Sequence, residues 1–126
     1  MRLLFAIPHY FDEHAGGRHG SLHDRRGDRL RAVANTIFRI HRTFGGVQQA
    51  RSLARAEATP ANGSILPSSV TIVVCTASGG HLVEQLPAEA GPVVHEASSE
   101  NPRHLGFKCH AVLRDHLDEY DLFCYL

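Results

Sequence analysis

The sequence lacks a net charge, a long apolar run and any Cys-x-x-Cys pair. Its 13 basic side chains balance 13 acidic ones, so no overall field favours binding to nucleic acid or an anionic membrane. No apolar stretch approaches about 18 residues, which excludes membrane insertion. The three cysteines, Cys75, Cys109 and Cys124, are an odd number and each lies in an apolar segment. They predict buried, reduced thiols in a cytoplasmic protein.

The length and hydrophobic content of the chain suffice for a single domain. The chain has 126 residues, of which 43% are hydrophobic and 21% charged, and this composition is typical of a soluble globular fold. The charges are unevenly spread, since residues 1–55 carry a net charge of +6 and residues 56–126 one of −6. The arginine-rich half could lie over a phosphate, or the two halves neutralise each other in the fold.

Four short apolar runs predict four strands. They lie at residues 3–7, 70–76, 93–95 and 122–126. The second and fourth runs are continuous rather than alternating, which is typical of strands buried on both faces of a parallel sheet.

The segments between the first two runs predict a helix and a loop. Apolar residues recur at steps of three and four over residues 30–44, which predicts an amphipathic helix with Asp28 as its N-cap and Gly45-Gly46 at its end. Residues 47–58 are rich in alanine and are expected to add helical turns. Residues 59–69 contain two prolines and a glycine and predict a flexible surface loop.

A second strong helix opens with Asn101 as its cap and Pro102 at its first position. Its expected buried face holds Leu105, Cys109, Val112, Leu113 and Leu117. A shorter helical turn is predicted over residues 81–86. The alternation of strands and helices predicts an α/β three-layer sandwich with a mostly parallel, Rossmann-like sheet of about four strands. Ligands of such sheets bind beyond the carboxyl ends of the strands.

Histidine is abundant, with ten residues in the chain. His9, His14, His19 and His23 lie close together in the first loop, and such a loop can bind a metal. Their spacing matches no defined zinc motif, so no metal ligand is assigned. No nucleophile elbow is present and no cysteine lies in a known nucleophile context, so no catalytic residue is assigned either.

The end of the sequence resembles the nucleotide-binding half of GT-A glycosyltransferases. Arg103 and Gly106 match the start of a helix in that family, Tyr120 matches the aromatic residue after it, and residues 123–126 match the strand that follows. The opening strand with Pro8-His9-Tyr10 and the strand at residues 73–76 are also similar to strands of the family. The helix before the last strand is longer than is usual there.

The resemblance implies that the chain binds a nucleotide sugar. The substrate-binding residues that it implies are Pro8, His9, Tyr10, Thr76, Ser78 and Arg103. In the family, an Asp-x-Asp type motif after the last strand holds Mn²⁺ or Mg²⁺ on the diphosphate. This motif does not occur in the sequence, so we expect residues 1–126 to form one incomplete domain without activity, and a divalent metal only in a full-length enzyme.

Two other interpretations remain open from the sequence. The first is a non-catalytic α/β module that binds a metal through the histidine-rich loop at residues 9–23, or a phosphate at the Gly79-Gly80 turn. The second is an inactive relative of the glycosyltransferases that serves as a protein partner. If Leu126 is the natural end, the last strand lies at an unprotected edge, and self-association is expected there.

Overall fold

The computed structural model describes residues 1–12, 25–50, 64–77 and 80–126. The strands are β1 (Arg2–His9), β2 (Gly46–Ala50), β3 (Ser64–Thr76), β4 (Val94–Ala97) and β5 (Leu122–Tyr125). The helices are α1 (Arg26–Phe44) and α2 (Leu105–Asp115). Short 3-10 turns lie at Val83–Gln85, Ala88–Ala90 and Pro102–His104. The first of these turns falls where a short helical turn was predicted.

Four of the strands form a parallel sheet in the order β4, β3, β1, β5. β1 pairs with β3 along its whole length, from Arg2 opposite Ser69 to His9 opposite Thr76. β5 lies on the other side of β1, and β4 pairs with the last residues of β3. The predicted α/β class and the parallel sheet of about four strands are confirmed, and the strand order is that of a partial Rossmann-like fold.

The side chains of β1 alternate between two cores, one on each face of the sheet. The core on the α1 face contains Leu3, Phe5 and Ile7 of β1 with Ile37 and Ile40 of α1. The core on the α2 face contains Leu4 and Ala6 of β1 with Leu105, Cys109 and Val112 of α2. Because both faces of the sheet are covered, residues 3–7 of β1 and 72–75 of β3 are apolar at successive positions rather than at every second one.

Helix α1 is present as predicted, but its start differs. Arg25 occupies the N-cap position without a side-chain hydrogen bond, and the helix begins at Arg26. The prediction that Asp28 is the N-cap was therefore wrong. Asp28 lies in the first turn, 3.8 Å from the Arg31 guanidinium, where its charge is favourable toward the helix dipole. At the other end, Gly46 turns the chain with a φ of +82°, which glycine adopts readily.

The residues after α1 form a strand where helical turns were predicted. β2 pairs antiparallel with the start of β3, with Gly46 opposite Ser68 and Ala50 opposite Ser64. The helix predicted from residue 47 and the loop predicted through residue 69 were therefore wrong for residues 47–50 and 64–69. Helix propensity differs by less than about 1 kcal/mol per residue among ordinary residues, so backbone pairing with β3 outweighs it. Residues 51–63 lie outside the described residues.

Helix α2 starts as predicted and ends earlier. The side chain of Asn101 accepts a hydrogen bond from the Arg103 N–H at 3.0 Å, and Pro102 opens the 3-10 turn that leads into α2. The helix ends at Asp115. Leu117 was predicted on its buried face, but it lies beyond the helix and is 59% exposed.

Candidate functional site

The carboxyl ends of the parallel strands meet at one edge of the sheet, called here the carboxyl edge. It consists of the ends of β1 at His9, β3 at Thr76, β4 at Ala97 and β5 at Tyr125. From β1 the chain moves to β3 and β4 on one side and then crosses to β5 on the other. Ligands of open α/β sheets bind at such a switch in strand order, because the loops on its two sides diverge and leave a crevice between them.

His9 is a buried imidazole at the end of β1, with 1% of its surface exposed. Its Nε2 accepts a hydrogen bond from the Leu82 N–H at 2.9 Å. Burial, the charge of Arg29 and the neighbouring rings of His81 and His95 lower the pKa of His9 from 6.5 to about 4. The ring is therefore neutral at pH 7. Because Nε2 accepts a hydrogen bond, the proton of the ring lies on Nδ1.

His81 and His95 complete a histidine cluster with His9. The Nε2 atom of His95 lies 2.8 Å from the Thr76 hydroxyl, and the rings of His81 and His95 meet edge to face with their centroids 4.5 Å apart. Burial and the neighbouring His81 lower the pKa of His95. Burial therefore favours the neutral rings of His9 and His95, in each of which one nitrogen donates and the other accepts.

Hydrogen bonds join the segments that follow the strands at the carboxyl edge. The Phe11 N–H donates to the Gly80 carbonyl at 3.3 Å, and a Cβ atom at Gly80 would collide with the Phe11 carbonyl. The N–H and hydroxyl of Ser98 both donate to the Thr76 carbonyl, at 3.0 and 2.8 Å. The residues that follow β1, β3 and β4 are therefore fixed relative to one another.

Two buried donors in this region meet no acceptor in the part of the chain that the structure describes. The Nδ1 atom of His9 and the Nε atom of Arg29 are buried, and neither has a hydrogen-bond partner among the described residues. Arg29 comes from the first turns of α1, whose start is joined to the turn after Leu82 by a 3.1 Å hydrogen bond from Arg26 Nε to Gln85 Oε1. Unsatisfied buried donors are rare in folded proteins, so each of these two atoms is a departure from the usual pairing of buried polar groups.

The structure brings only part of the predicted site together. His9 and Thr76 lie opposite each other in the sheet. Tyr10 packs against the core on the α2 face, and its hydroxyl donates to the Asp12 carboxylate at 3.0 Å. Burial and the contact with Asp12 raise the pKa of Tyr10. Pro8 lies opposite Cys75 in the sheet.

The two remaining predicted residues lie elsewhere. Arg103 is exposed in the 3-10 turn between β4 and α2, with its backbone N–H held by Asn101. Ser78 lies outside the described residues. The predicted set therefore borders the carboxyl edge without forming one cluster.

Sequence reasoning missed Arg29, His81 and His95. His81 directly follows the glycine pair after a predicted strand, and His95 ends the third apolar run, so their positions carried a usable signal. No sequence signal pointed to Arg29, because the periodicity of α1 does not reveal which strand end the first turns of the helix approach.

Three histidines of the histidine-rich loop, His14, His19 and His23, lie outside the described residues. Among the residues that the structure describes, no group of three or more His, Cys, Asp or Glu side chains is placed to hold a metal ion. Metal binding by this loop therefore stays a prediction.

Comparison of the chain with models of protein families, with curated proteins and with solved structures gave no match. In the described part of the chain, no helix is both long and apolar enough to cross a membrane.

Proposed function

We propose that the chain is the nucleotide-sugar-binding part of a GT-A-like glycosyltransferase and binds the nucleoside diphosphate of the donor at its carboxyl edge. The observation that carries this proposal is the switch in strand order at β1, because open parallel sheets bind ligands at that place. The sequence resemblance of Pro8-His9-Tyr10 and of Arg103 to the family supports the choice of ligand.

The proposed roles follow from position and chemistry. Pro8 and Tyr10 contact the base and ribose, since the half-buried ring of Tyr10 offers an aromatic surface with a fixed hydroxyl. Arg103 approaches the diphosphate, because its exposed guanidinium can bind two phosphate oxygens at once. Thr76 and Ser78 border the nucleotide at the end of β3.

The chain is proposed to bind without catalysing transfer. Glycosyl transfer of this type stabilises the leaving diphosphate with a divalent metal held by acidic residues. The sequence contains no Asp-x-Asp motif, and the described residues offer no group of metal ligands. We therefore assign no metal-dependent step to this chain. Manganese-dependent sugar transfer by the purified 126-residue chain would contradict this part of the proposal.

Calorimetry with uridine diphosphate and guanosine diphosphate tests the proposed binding. We expect one of them to bind, and we expect Arg103→Ala to weaken that binding by about tenfold or more, because a charge-assisted contact to phosphate is lost. Arg114→Ala is the matched control, since Arg114 is exposed near the far end of α2 and contacts Asp115 at 3.0 Å. Unchanged binding to Arg103→Ala removes Arg103 from the site, and failure of both nucleotides to bind contradicts the proposal.

We also propose self-association through β5 and a function in the reducing cytoplasm. β5 is the last strand in the described order, and Leu122, Tyr125 and Leu126 are exposed, which favours pairing with another edge. The three cysteines are free thiols, as expected in a reducing compartment. Sedimentation velocity tests the association: Tyr125→Lys should reduce any dimer, and a purely monomeric natural chain at high concentration argues against it.

A further inference from the structure

A small cavity lies between α2 and the parallel sheet, beside the outer strand β4. Its volume is about 210 Å³, and its lining comes from β1, β3, β4, α2 and the turn that follows α2. A cavity of about 150 Å³ is large enough for benzene, so this one can hold a small organic molecule. None of the described residues of the proposed nucleotide site lines it, so the cavity is independent of the proposed function.

The cavity exists because α2 leaves space above β4. The helix packs on β1 and β3. Its residue Ala111 lines the cavity, where a larger side chain would fill the space. Val94 of β4 also lines the cavity and is 50% exposed. The outer strand is therefore only partly covered on the α2 face.

The middle of the cavity is apolar. Val73 of β3 and Val94 of β4 lie opposite each other in the sheet. The buried side chains of Leu4 and Val112 line the cavity from β1 and α2. The apolar part of a ligand would be removed from water here, which favours binding.

One end of the cavity carries Lys108 and Glu96. Glu96 lies opposite Cys75 in the sheet and is two residues closer to the carboxyl edge than Val94. The Lys108 Nζ atom lies 2.9 Å from Glu96 Oε1, and this contact raises the pKa of Lys108, so the ammonium is charged at pH 7. Because an ammonium has three donors, Lys108 can bind a ligand carboxylate as well as Glu96.

The other end carries hydrogen-bond acceptors. The Tyr120 hydroxyl donates to Thr71 Oγ1 at 3.2 Å, so the lone pairs of the tyrosine oxygen can accept. His116 Nδ1 lies 2.8 Å from the Val112 carbonyl oxygen and therefore donates to it, which makes Nε2 the acceptor in the neutral ring. The Asp115 carboxylate also lines the cavity. These acceptors favour an ammonium group.

Two measures give the distance between the ends. Cys75, opposite Glu96, and Thr71 are four residues apart on β3, which is about 13 Å along a strand. Lys108 and Asp115 are seven residues apart on α2, which is about 10 Å along a helix. Hydrogen bonds at both ends leave roughly 5–8 Å for the ligand itself. Since an extended chain gains about 1.2 Å per bond, about five bonds separate the two charged groups of a ligand that fits.

We propose that this cavity binds a linear ω-amino acid of about five carbon atoms, with its carboxylate on Lys108 and its ammonium on the acceptors around Tyr120. Its methylene chain lies between Val73, Val94 and α2. A ligand with a single charge would leave one end of the cavity unmatched. A metal ion is disfavoured, because the described residues offer no group of three or more metal ligands.

Isothermal titration calorimetry at pH 7 with 5-aminopentanoate tests the site. We expect one-to-one binding, and binding about tenfold weaker or less for pentylamine and pentanoate, because each lacks one charge-assisted contact. Glycine carries both charges but is too short to reach both ends, so we expect it not to bind. Absence of 5-aminopentanoate binding would overturn the proposal, as would equal affinity for pentylamine, pentanoate or pentane-1,5-diamine.

Two variants test whether the ligand binds in the cavity. Lys108→Met should weaken the binding of 5-aminopentanoate by about tenfold or more and leave that of pentylamine unchanged, since only the contact to the carboxylate is lost. Ala111→Leu fills the cavity and should abolish the binding of 5-aminopentanoate, with the fold verified by thermal unfolding. Unchanged binding in Lys108→Met, or in a folded Ala111→Leu chain, would overturn the proposal.

Two further variants serve as controls. Arg31→Gln removes a charge from an exposed position of α1, on the other face of the sheet, and should bind 5-aminopentanoate as the natural chain does. Arg103→Ala should also retain this binding while it loses affinity for the nucleoside diphosphate. Loss of 5-aminopentanoate binding in Arg31→Gln would show a general effect of charge and would contradict a site in the cavity.

Discussion

The Leu82 N–H donates a 2.9 Å hydrogen bond to His9 Nε2, and this contact links the end of β1 to the turn that follows β3. It requires an unprotonated Nε2, so the neutral ring of His9 is the form that fits the fold. The stability of the protein therefore depends on His9 remaining neutral.

The burial of His9 predicts that the protein loses stability in mild acid. Its pKa is about 4 in the folded chain, where burial, Arg29, His81 and His95 all lower it, and about 6.5 in the unfolded chain. Between these values the unfolded chain binds more protons, so the free energy of unfolding falls as the pH falls, by about 3 kcal/mol in all. The lowered pKa of His95 acts in the same direction.

Urea unfolding at pH 7.0, 5.5 and 4.5 measures this dependence, because the first value lies above the window and the other two lie inside it. We expect His9→Asn to show a flatter dependence on pH than the natural chain. His104→Asn changes an exposed histidine before α2 and should leave the slope unchanged. Equal slopes for the natural chain and His9→Asn would show that His9 does not titrate as a buried group.

The three cysteines should differ sharply in reactivity. Cys75 and Cys109 are fully buried against each other in the α2-face core, whereas Cys124 is half-buried. A hydrogen bond between the two buried thiols lowers the pKa of Cys75 and raises that of Cys109, but burial denies both to a bulky reagent. With Ellman's reagent we expect only Cys124 to react before unfolding. Rapid reaction of a thiol in Cys124→Ser would contradict the burial of the other two.

Ile37 should contribute strongly to stability through the α1-face core. Its side chain is fully buried between α1 and the sheet, so Ile37→Ala should lower the free energy of unfolding by about 2–5 kcal/mol. Asn35→Ala changes an exposed position of the same helix and should alter it by less than about 0.5 kcal/mol. Similar urea midpoints for the two variants would mean that α1 does not pack on this face.

Gly91 should resist substitution by any residue with a Cβ atom. It has a φ of +99°, and a Cβ atom there would lie 2.5 Å from the His41 ring, whose Nε2 is 2.8 Å from the Pro92 carbonyl oxygen. Gly91→Ala should therefore lower the free energy of unfolding by about 1–2 kcal/mol. Gly27 in α1 has open space around it, so Gly27→Ala should be neutral or stabilising. Thermal unfolding of both variants measures these changes in stability. Equal stabilities of the two variants would contradict the positive φ of Gly91.

Local patterns predicted the parts of the fold that depend on burial. The continuous apolar run of β3 and the three-to-four spacing of α1 each reflect which faces are covered, and both elements are present. β2 was missed because its existence depends on pairing with residues 64–68, which local helix propensity does not reveal. The pattern also failed to predict that α2 ends before Leu117. Leu117 is an apolar residue at helical spacing, so the periodicity continues past the true end of the helix.

The same distinction applies to the candidate site. His9 and Thr76 were predicted from the resemblance and from their position at strand ends, and the sheet places strand ends together. Arg29 was not, because the effect of its charge on His9 depends on how α1 lies against the sheet. The division of Tyr10 and His9 between opposite faces follows from the alternation along β1, which fixes the side of each residue once the cores are known.

The most direct test of the proposed function is an NMR titration of the ¹⁵N-labelled chain with uridine diphosphate. We predict saturable shifts at Tyr10, Thr76 and Arg103 on the carboxyl edge, with Arg2 and Asp121 unmoved at the opposite end of the sheet, where they contact each other. Absence of shifts at saturating nucleotide, or shifts centred on Arg2 and Asp121, would contradict nucleotide binding at the carboxyl edge.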